Sequence, residues 1–184
     1  MYKLIALDMY GTTFNEEHEI SNEVKDSLFY AISKGVKIAF ISGREEFTVK
    51  EILKKLELDT YYGALNGSLI STTYSEVPKF VKSLEKKYIF YILDIVESNG
   101  FSPIVFLEDL IFTRDSNDEY VEIISKFISP KILRVKDIKE YIKNNNLEEK
   151  VLKIGICHEY EVLRGLEEKF TNTIKSEYTI SFSL

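Results

Sequence analysis

Short uninterrupted apolar runs set the rhythm of the first third of the chain. Lys3 to Leu7 stops at Asp8, Val36 to Ile41 stops at Ser42-Gly43-Arg44, and Tyr62 to Leu65 stops at Asn66-Gly67. Apolar runs of this length, bounded by polar turns, predict buried strands. Between them the period changes. Ser21 reads as an N-cap, Val24, Leu28, Ala31 and Ile32 share one helical face, and Gly35 ends the helix. A second helix from about Glu45 to Leu56 is expected to bury Val49, Ile52, Leu53 and Leu56. Strand, helix, strand, helix, strand with short connections predicts a parallel sheet joined by right-handed crossovers. Ligands bind such sheets beyond the carboxyl ends of the strands. The topology therefore brings Asp8, Ser42 and Asn66 to one rim.

After Gly67 the pattern changes. Leu69 to Ser71 and Lys79 to Val81 suit a small hairpin at the sheet's edge. A helix is expected over Ser83 to Ser98, with Tyr88, Ile92 and Val96 on one face and Asn99-Gly100 closing it. Ile104 to Leu107 and Leu110 to Thr113 flank Glu108-Asp109 as a hairpin. Helices follow at 118–127 and 137–144, a strand at Val151 to Cys157, a helix at Glu159 to Phe170 and a last strand at Tyr178 to Phe182. This half reads as α+β. The expected division is residues 1–80 for the parallel half and 81–184 for the second domain.

Composition narrows the function classes. The net charge of −6 argues against a general nucleic-acid binder, which needs basic patches to neutralise phosphates. Cys157 is the sole cysteine and there are two histidines, so neither an internal disulfide nor a zinc site is expected. Cys157 reads as a small buried hydrophobe, and His18 and His158 as non-catalytic. No segment reaches the ~18 apolar residues of a membrane helix. A cytoplasmic chain is expected, without membrane or nucleic-acid partners.

An acid ending a strand before a glycine turn is common by chance. Asp8-Met9-Tyr10-Gly11-Thr12 gains meaning from Ile41-Ser42-Gly43-Arg44 after the second strand and Asn66-Gly67 after the third. Leu4 to Arg44 resembles the haloacid dehalogenase superfamily, and within it the Cof-type sugar-phosphatase-like branch. Glu19-Ile20-Ser21, Lys34-Gly35-Val36 and Leu65-Asn66-Gly67-Ser68 add to the resemblance. It implies an α/β fold, a Rossmann-like parallel-sheet half-core with an inserted α+β cap. It also implies magnesium-dependent hydrolysis of small phosphorylated metabolites through an aspartyl-phosphate. Asp8 matches the nucleophile. Asp8 and the carbonyl of Tyr10 match magnesium ligands. Ser42, Gly43 and the N-terminus of the following helix match the phosphate cradle, with Gly11 and Thr12 shaping the loop beside Asp8. Arg44 and Asn66 join the phosphate-binding set, although Asn66 also reads as a turn former, Arg44 as a surface residue and Ser42 as an N-cap.

Two departures qualify what the resemblance implies. Phosphatases of the superfamily carry a second acid two residues after the nucleophile, and here Tyr10 stands there. A phenol with an ordinary pKa of about 10 cannot alternate as acid and base near neutral pH. The family's later lysine and acidic Gly-Asp motif also find no match after residue 150; Ile154-Gly155-Ile156 runs into Cys157 and His158. The expectation is a shortened chain with impaired or absent turnover and a sheet edge open to self-association. A non-catalytic phosphate-binding relative is the alternative. The Asp-x-Tyr-Gly-Thr motif also resembles that of the carbon–halogen hydrolases, which gives a third reading.

Overall fold

The computed structural model describes residues 2–15, 19–128, 132–171 and 180. It divides into two compact units, Met1–Ser83 and Leu84–Leu184.

In the first unit, β1 (Leu4–Asp8), β2 (Lys37–Ile41), β3 (Tyr61–Ala64), β4 (Leu69–Thr72) and β5 (Phe80–Val81) form one sheet in that spatial order. β1, β2 and β3 are parallel. β4 and β5 add on antiparallel, as the hairpin pattern predicts. Helices α1 (Asn22–Ser33) and α2 (Glu46–Lys55) are the crossovers. Ser21 caps α1, its hydroxyl accepting the Val24 N–H at 3.3 Å. Gly35, at φ +79, ends it in the left-handed conformation.

The register shows how the sheet is buried. Leu7, Phe40, Tyr62 and Ser71 are cross-strand partners, so their side chains share a face. Phe40, Tyr62 and Ser71 on that row are fully buried, as are Val49 and Leu53 of α2. The neighbouring row is Asp8, Ile41, Gly63, Ile70 and Phe80. Ile41, Ile70 and Phe80 on it are exposed. β1 is the correction to the sequence reading. It was expected to be buried, yet Leu4 is 52% exposed and Ile5 36%. The reason is its place at the sheet's end, where among the described residues it pairs with β2 alone. Ile32 is likewise exposed, and Ile52 and Leu56 are half-buried.

The second unit orders its strands β8 (Leu133–Val135), β7 (Ile111–Arg114), β6 (Ile104–Phe106), β9 (Lys153–Gly155). β6 is antiparallel to both neighbours, and β7 is parallel to β8. Helix α3 (Lys86–Ser98) buries Ile89 and Leu93 against Val105, Phe112, Ile138 and Ile142. Val96, one turn further on, packs instead with Leu166 and Phe170 of α6 (Tyr160–Thr171), flanked by Tyr88 and Ile92. The expected face Tyr88, Ile92, Val96 thus exists, but Ile89 and Leu93 make the deeper contact. Helices α4 (Glu119–Ser125) and α5 (Ile138–Asn144) start at the caps Asp118 and Asp137. Cys157 is half-buried rather than buried. Its thiol pKa is raised, by desolvation first and by the Asp118 charge second. His18 and, apart from Ile180, the strand expected at Tyr178 to Phe182 lie outside the described residues.

Candidate functional site

Asp8 is the last residue of β1 and pairs in register with Ile41, the last residue of β2. The chain then turns sharply. The Met9 carbonyl accepts the N–H groups of Thr13 at 3.1 Å and Phe14 at 2.8 Å. Gly11 makes this turn possible, since its φ of +72 is a conformation L side chains rarely adopt. The Thr13 hydroxyl donates to the Asp8 carbonyl at 2.6 Å. The Thr12 hydroxyl reaches the Asp8 carboxylate at 3.5 Å, a long contact. The turn leaves the Asp8 side chain exposed, while buried Met9 and Phe14 anchor it to the core.

Ser42, 3% exposed, follows β2. Its N–H donates to the Gly63 carbonyl at 2.9 Å, carrying the parallel pairing one residue past the strand. Its Oγ accepts the Arg44 N–H at 3.1 Å. It is not the N-cap of α2, because that position falls on Glu45. The loops after β2 and β3 are stitched together. Asn66 N–H donates to the Ser42 carbonyl at 3.1 Å, and Leu65 N–H to the Arg44 carbonyl at 2.8 Å. A Cβ on Gly43 would stand 3.3 Å from the Asn66 side-chain oxygen, so a larger residue would crowd the amide. Leu65 and Asn66 both take positive φ, 50° and 58°. For a buried leucine this is an uncommon conformation held by its surroundings.

Tyr10 is half-buried rather than open to the rim. Its ring stacks on Phe14 with centroids 6.0 Å apart, and Phe14 meets Phe40 edge-on. The Arg44 guanidinium lies 4.9 Å above the Tyr10 ring, a cation–π contact between the first and second loops. Desolvation raises the phenol's pKa above its ordinary value; Arg44 lowers it and the Glu45 charge adds to the rise.

All the residues singled out from sequence, Asp8, Tyr10, Gly11, Thr12, Ser42, Gly43, Arg44 and Asn66, thus fall on three loops leaving adjacent strand ends. Sequence reasoning passed over Glu45, which is 3% exposed and accepts the Thr48 hydroxyl. It also passed over Glu46, which accepts the Tyr62 hydroxyl at 2.5 Å. The doublet Glu45-Glu46 at the start of α2 was the available signal, and it reads like any acidic first turn.

Residues 5–184 match the family model described as haloacid dehalogenase-like hydrolase. The chain belongs to that family. The resemblance to its Cof-type branch is upheld by the curated relatives. Phosphatase YwpJ of Bacillus subtilis is 29% identical over 121 residues, 66% of this chain and 42% of the relative. The Bacillus subtilis protein YxeH is 44% identical over 78 residues, 41% of this chain and 29% of the relative. The match therefore spans less than half the length of these relatives. Among solved structures, TM0651 of Thermotoga maritima shares the fold with a TM-score of 0.77 at 17% identity, covering 100% of this chain and 67% of that one. No helix among the described residues is long and apolar enough to cross a membrane.

Proposed function

We propose that this chain is built for Cof-type phosphohydrolase chemistry on small phosphorylated metabolites in the cytoplasm, with Asp8 as nucleophile and magnesium as cofactor. The observation that supports the reading is the position of Asp8, Ser42 and Asn66 at or just past the ends of adjacent strands, with the Asn66 N–H bonded to the Ser42 carbonyl. In the first step the Asp8 carboxylate attacks phosphorus, an aspartyl-phosphate forms and the ester oxygen leaves. Water then cleaves that mixed anhydride. The Ser42 Oγ, already accepting the Arg44 N–H, is free to turn its proton toward a phosphoryl oxygen. Gly43 would let the phosphate approach the backbone, and the first N–H groups of α2, ten residues long, would offer it further donors. Thr12 and Gly11 shape the loop beside Asp8, while Arg44 and Asn66 border the anion. Residues 81–184 would serve as the cap that selects the substrate.

The Asp8 carboxylate and the Tyr10 carbonyl are the hard oxygens that would hold magnesium. Among the described residues no three His, Cys, Asp or Glu side chains gather into a ready-made metal cluster. A sparse donor set of this kind fits magnesium, which keeps several waters and completes its shell with substrate phosphate. Once bound, the ion neutralises charge on the phosphoryl group.

The packing of Tyr10 favours a second reading, phosphate binding with little turnover. A phenol whose pKa is pushed up is a still poorer base at neutral pH. Phosphate release from p-nitrophenyl phosphate, with and without magnesium, is the test, paired with calorimetric titration of inorganic phosphate. The expected result is weak phosphate binding and slow, magnesium-dependent release. Fast magnesium-dependent release rejects the second reading. Neither binding nor release rejects both, and metal-independent halide release from a chloroalkanoate would move the chain to carbon–halogen hydrolysis.

A further inference from the structure

The second unit contains a cleft of its own. Ile104 of β6 pairs with Thr113 of β7 on one side and Gly155 of β9 on the other. The residues just past these pairs therefore meet at one end of the sheet. There, Gly100 to Ser102, Arg114, Ser116 to Tyr120 and His158 line a shallow, open cleft of about 410 Å³.

The wall is aromatic. His158 stacks on Tyr120 with centroids 4.1 Å apart and meets Phe101 edge-on at 5.3 Å. The Nδ1 atom of His158 accepts the Glu159 N–H at 2.8 Å, so the neutral ring carries its proton on Nε2 and offers a donor there. The floor is a pair of hydroxyls. Ser102, 4% exposed, lies 3.1 Å from the Ser116 hydroxyl. Two hydroxyls sharing one hydrogen bond keep a second O–H to give. Arg114, at the end of β7, is half-buried, and its guanidinium has no ion-pair or hydrogen-bond partner among the described residues. A guanidinium in that position lacks the planar acceptor its fork is shaped for.

The acidic neighbours decide which anion fits. Asp118 spends one carboxylate oxygen on the Tyr120 and Val121 N–H groups that begin α4. Glu119 is exposed, where water and salt screen it. Glu159 accepts the Tyr120 hydroxyl at 3.3 Å and adds a third negative charge beside the ring. Together these charges penalise a phosphate dianion more than a monoanion. We propose that this cleft binds a small planar organic carboxylate, its carboxylate on Arg114 and the Ser102–Ser116 pair and its ring against Tyr120 and His158. The site lies wholly within the second unit and stands apart from the Asp8 reading.

The test is NMR of the full chain labelled at histidine, titrated separately with benzoate, inorganic phosphate and benzylammonium. The chain has two histidines, so the His158 signals are assigned by comparison with His158→Gln. Benzoate is expected to move them saturably, and the other two probes to do so far more weakly. Arg114→Gln, with its folding checked by an unchanged methyl spectrum, is expected to weaken benzoate about tenfold or more, the worth of a hydrogen bond to a charged group. Tyr120→Leu should weaken it several-fold. Benzylammonium binding as well as benzoate, an Arg114→Gln affinity equal to the parent's, or a His158 signal that benzoate leaves in place would each overturn the proposal.

Discussion

The two units spend their apolar residues differently. In the second unit Ile104, Val105, Phe106, Ile111, Phe112 and Thr113 are all buried, so both central strands are covered on both faces. In the first unit the two faces are covered unequally. The row through Phe40 and Tyr62 is buried, while Ile41, Ile70 and Phe80 on the neighbouring row are exposed, as is Leu4 on β1. Parallel strands are ordinarily covered on both sides. The same first unit carries the rim where the strand ends converge. One part of the molecule is thus organised around packing, the other around a set of loop ends on a half-covered sheet.

The largest expected effect sharpens the comparison at the rim. Tyr10→Asp supplies the acid that the family's phosphatases place there and should raise phosphate-ester hydrolysis by roughly 10²–10⁴-fold, the usual worth of general acid–base help. Asp8→Asn in that background should abolish the gain, because an amide is a poor nucleophile and a poor metal ligand. Steady-state phosphate release at neutral pH with magnesium measures both. If Tyr10→Asp leaves the rate unchanged, the acid–base group is not what limits this chain.

A truncation in each unit tests the difference in packing. Phe112→Ala removes a fully buried ring and should cost about 3–5 kcal/mol in urea denaturation. Leu4→Ala, on a half-exposed residue of the edge strand, should stay within about 0.5 kcal/mol. Equal losses would mean that β1 is covered in solution. Among the described residues β1 has a partner on one side only, and that edge carries its own expectation. An unpaired hydrophobic strand is a template for pairing, so light scattering should show association that grows with concentration and is suppressed by Leu4→Lys. A parent chain that stays monomeric at high concentration would count against it.

Much of this was legible in the sequence because the signals were local. Ser21, Asp118 and Asp137 cap helices by short-range chemistry, and the polar stops after each apolar run fixed the rim. What escaped was set by partners distant in sequence. Lys-Leu-Ile-Ala-Leu reads as buried whether the strand is central or at an edge, since period and composition do not report neighbours. Tyr10 sits two residues after Asp8 on any reading, yet its place under Arg44 and against Phe14 depends on two loops meeting. The Ser102–Ser116 floor of the cleft joins residues from either side of a hairpin and carries no motif.

The smallest expected effect concerns that buried phenol. Tyr10 has its pKa raised in the folded chain, by desolvation first, with Arg44 opposing and Glu45 adding to the rise. Folding therefore favours the protonated form. The contribution to stability is fully present below the unfolded tyrosine pKa of about 10 and is lost as pH climbs through the higher folded value. Nothing should change between neutral pH and about pH 9. Above that, the parent chain should lose stability more steeply than Tyr10→Phe, which has no proton to release. The difference should be modest, because the ring is only half-buried and Arg44 offsets part of the penalty. Urea midpoints at pH 8, 9, 10 and 11 measure it, with phenolate absorbance near 295 nm following ionisation directly. Parallel slopes for the two chains would place the Tyr10 hydroxyl in water, and with it would fall the argument that its packing denies the rim a proton acceptor.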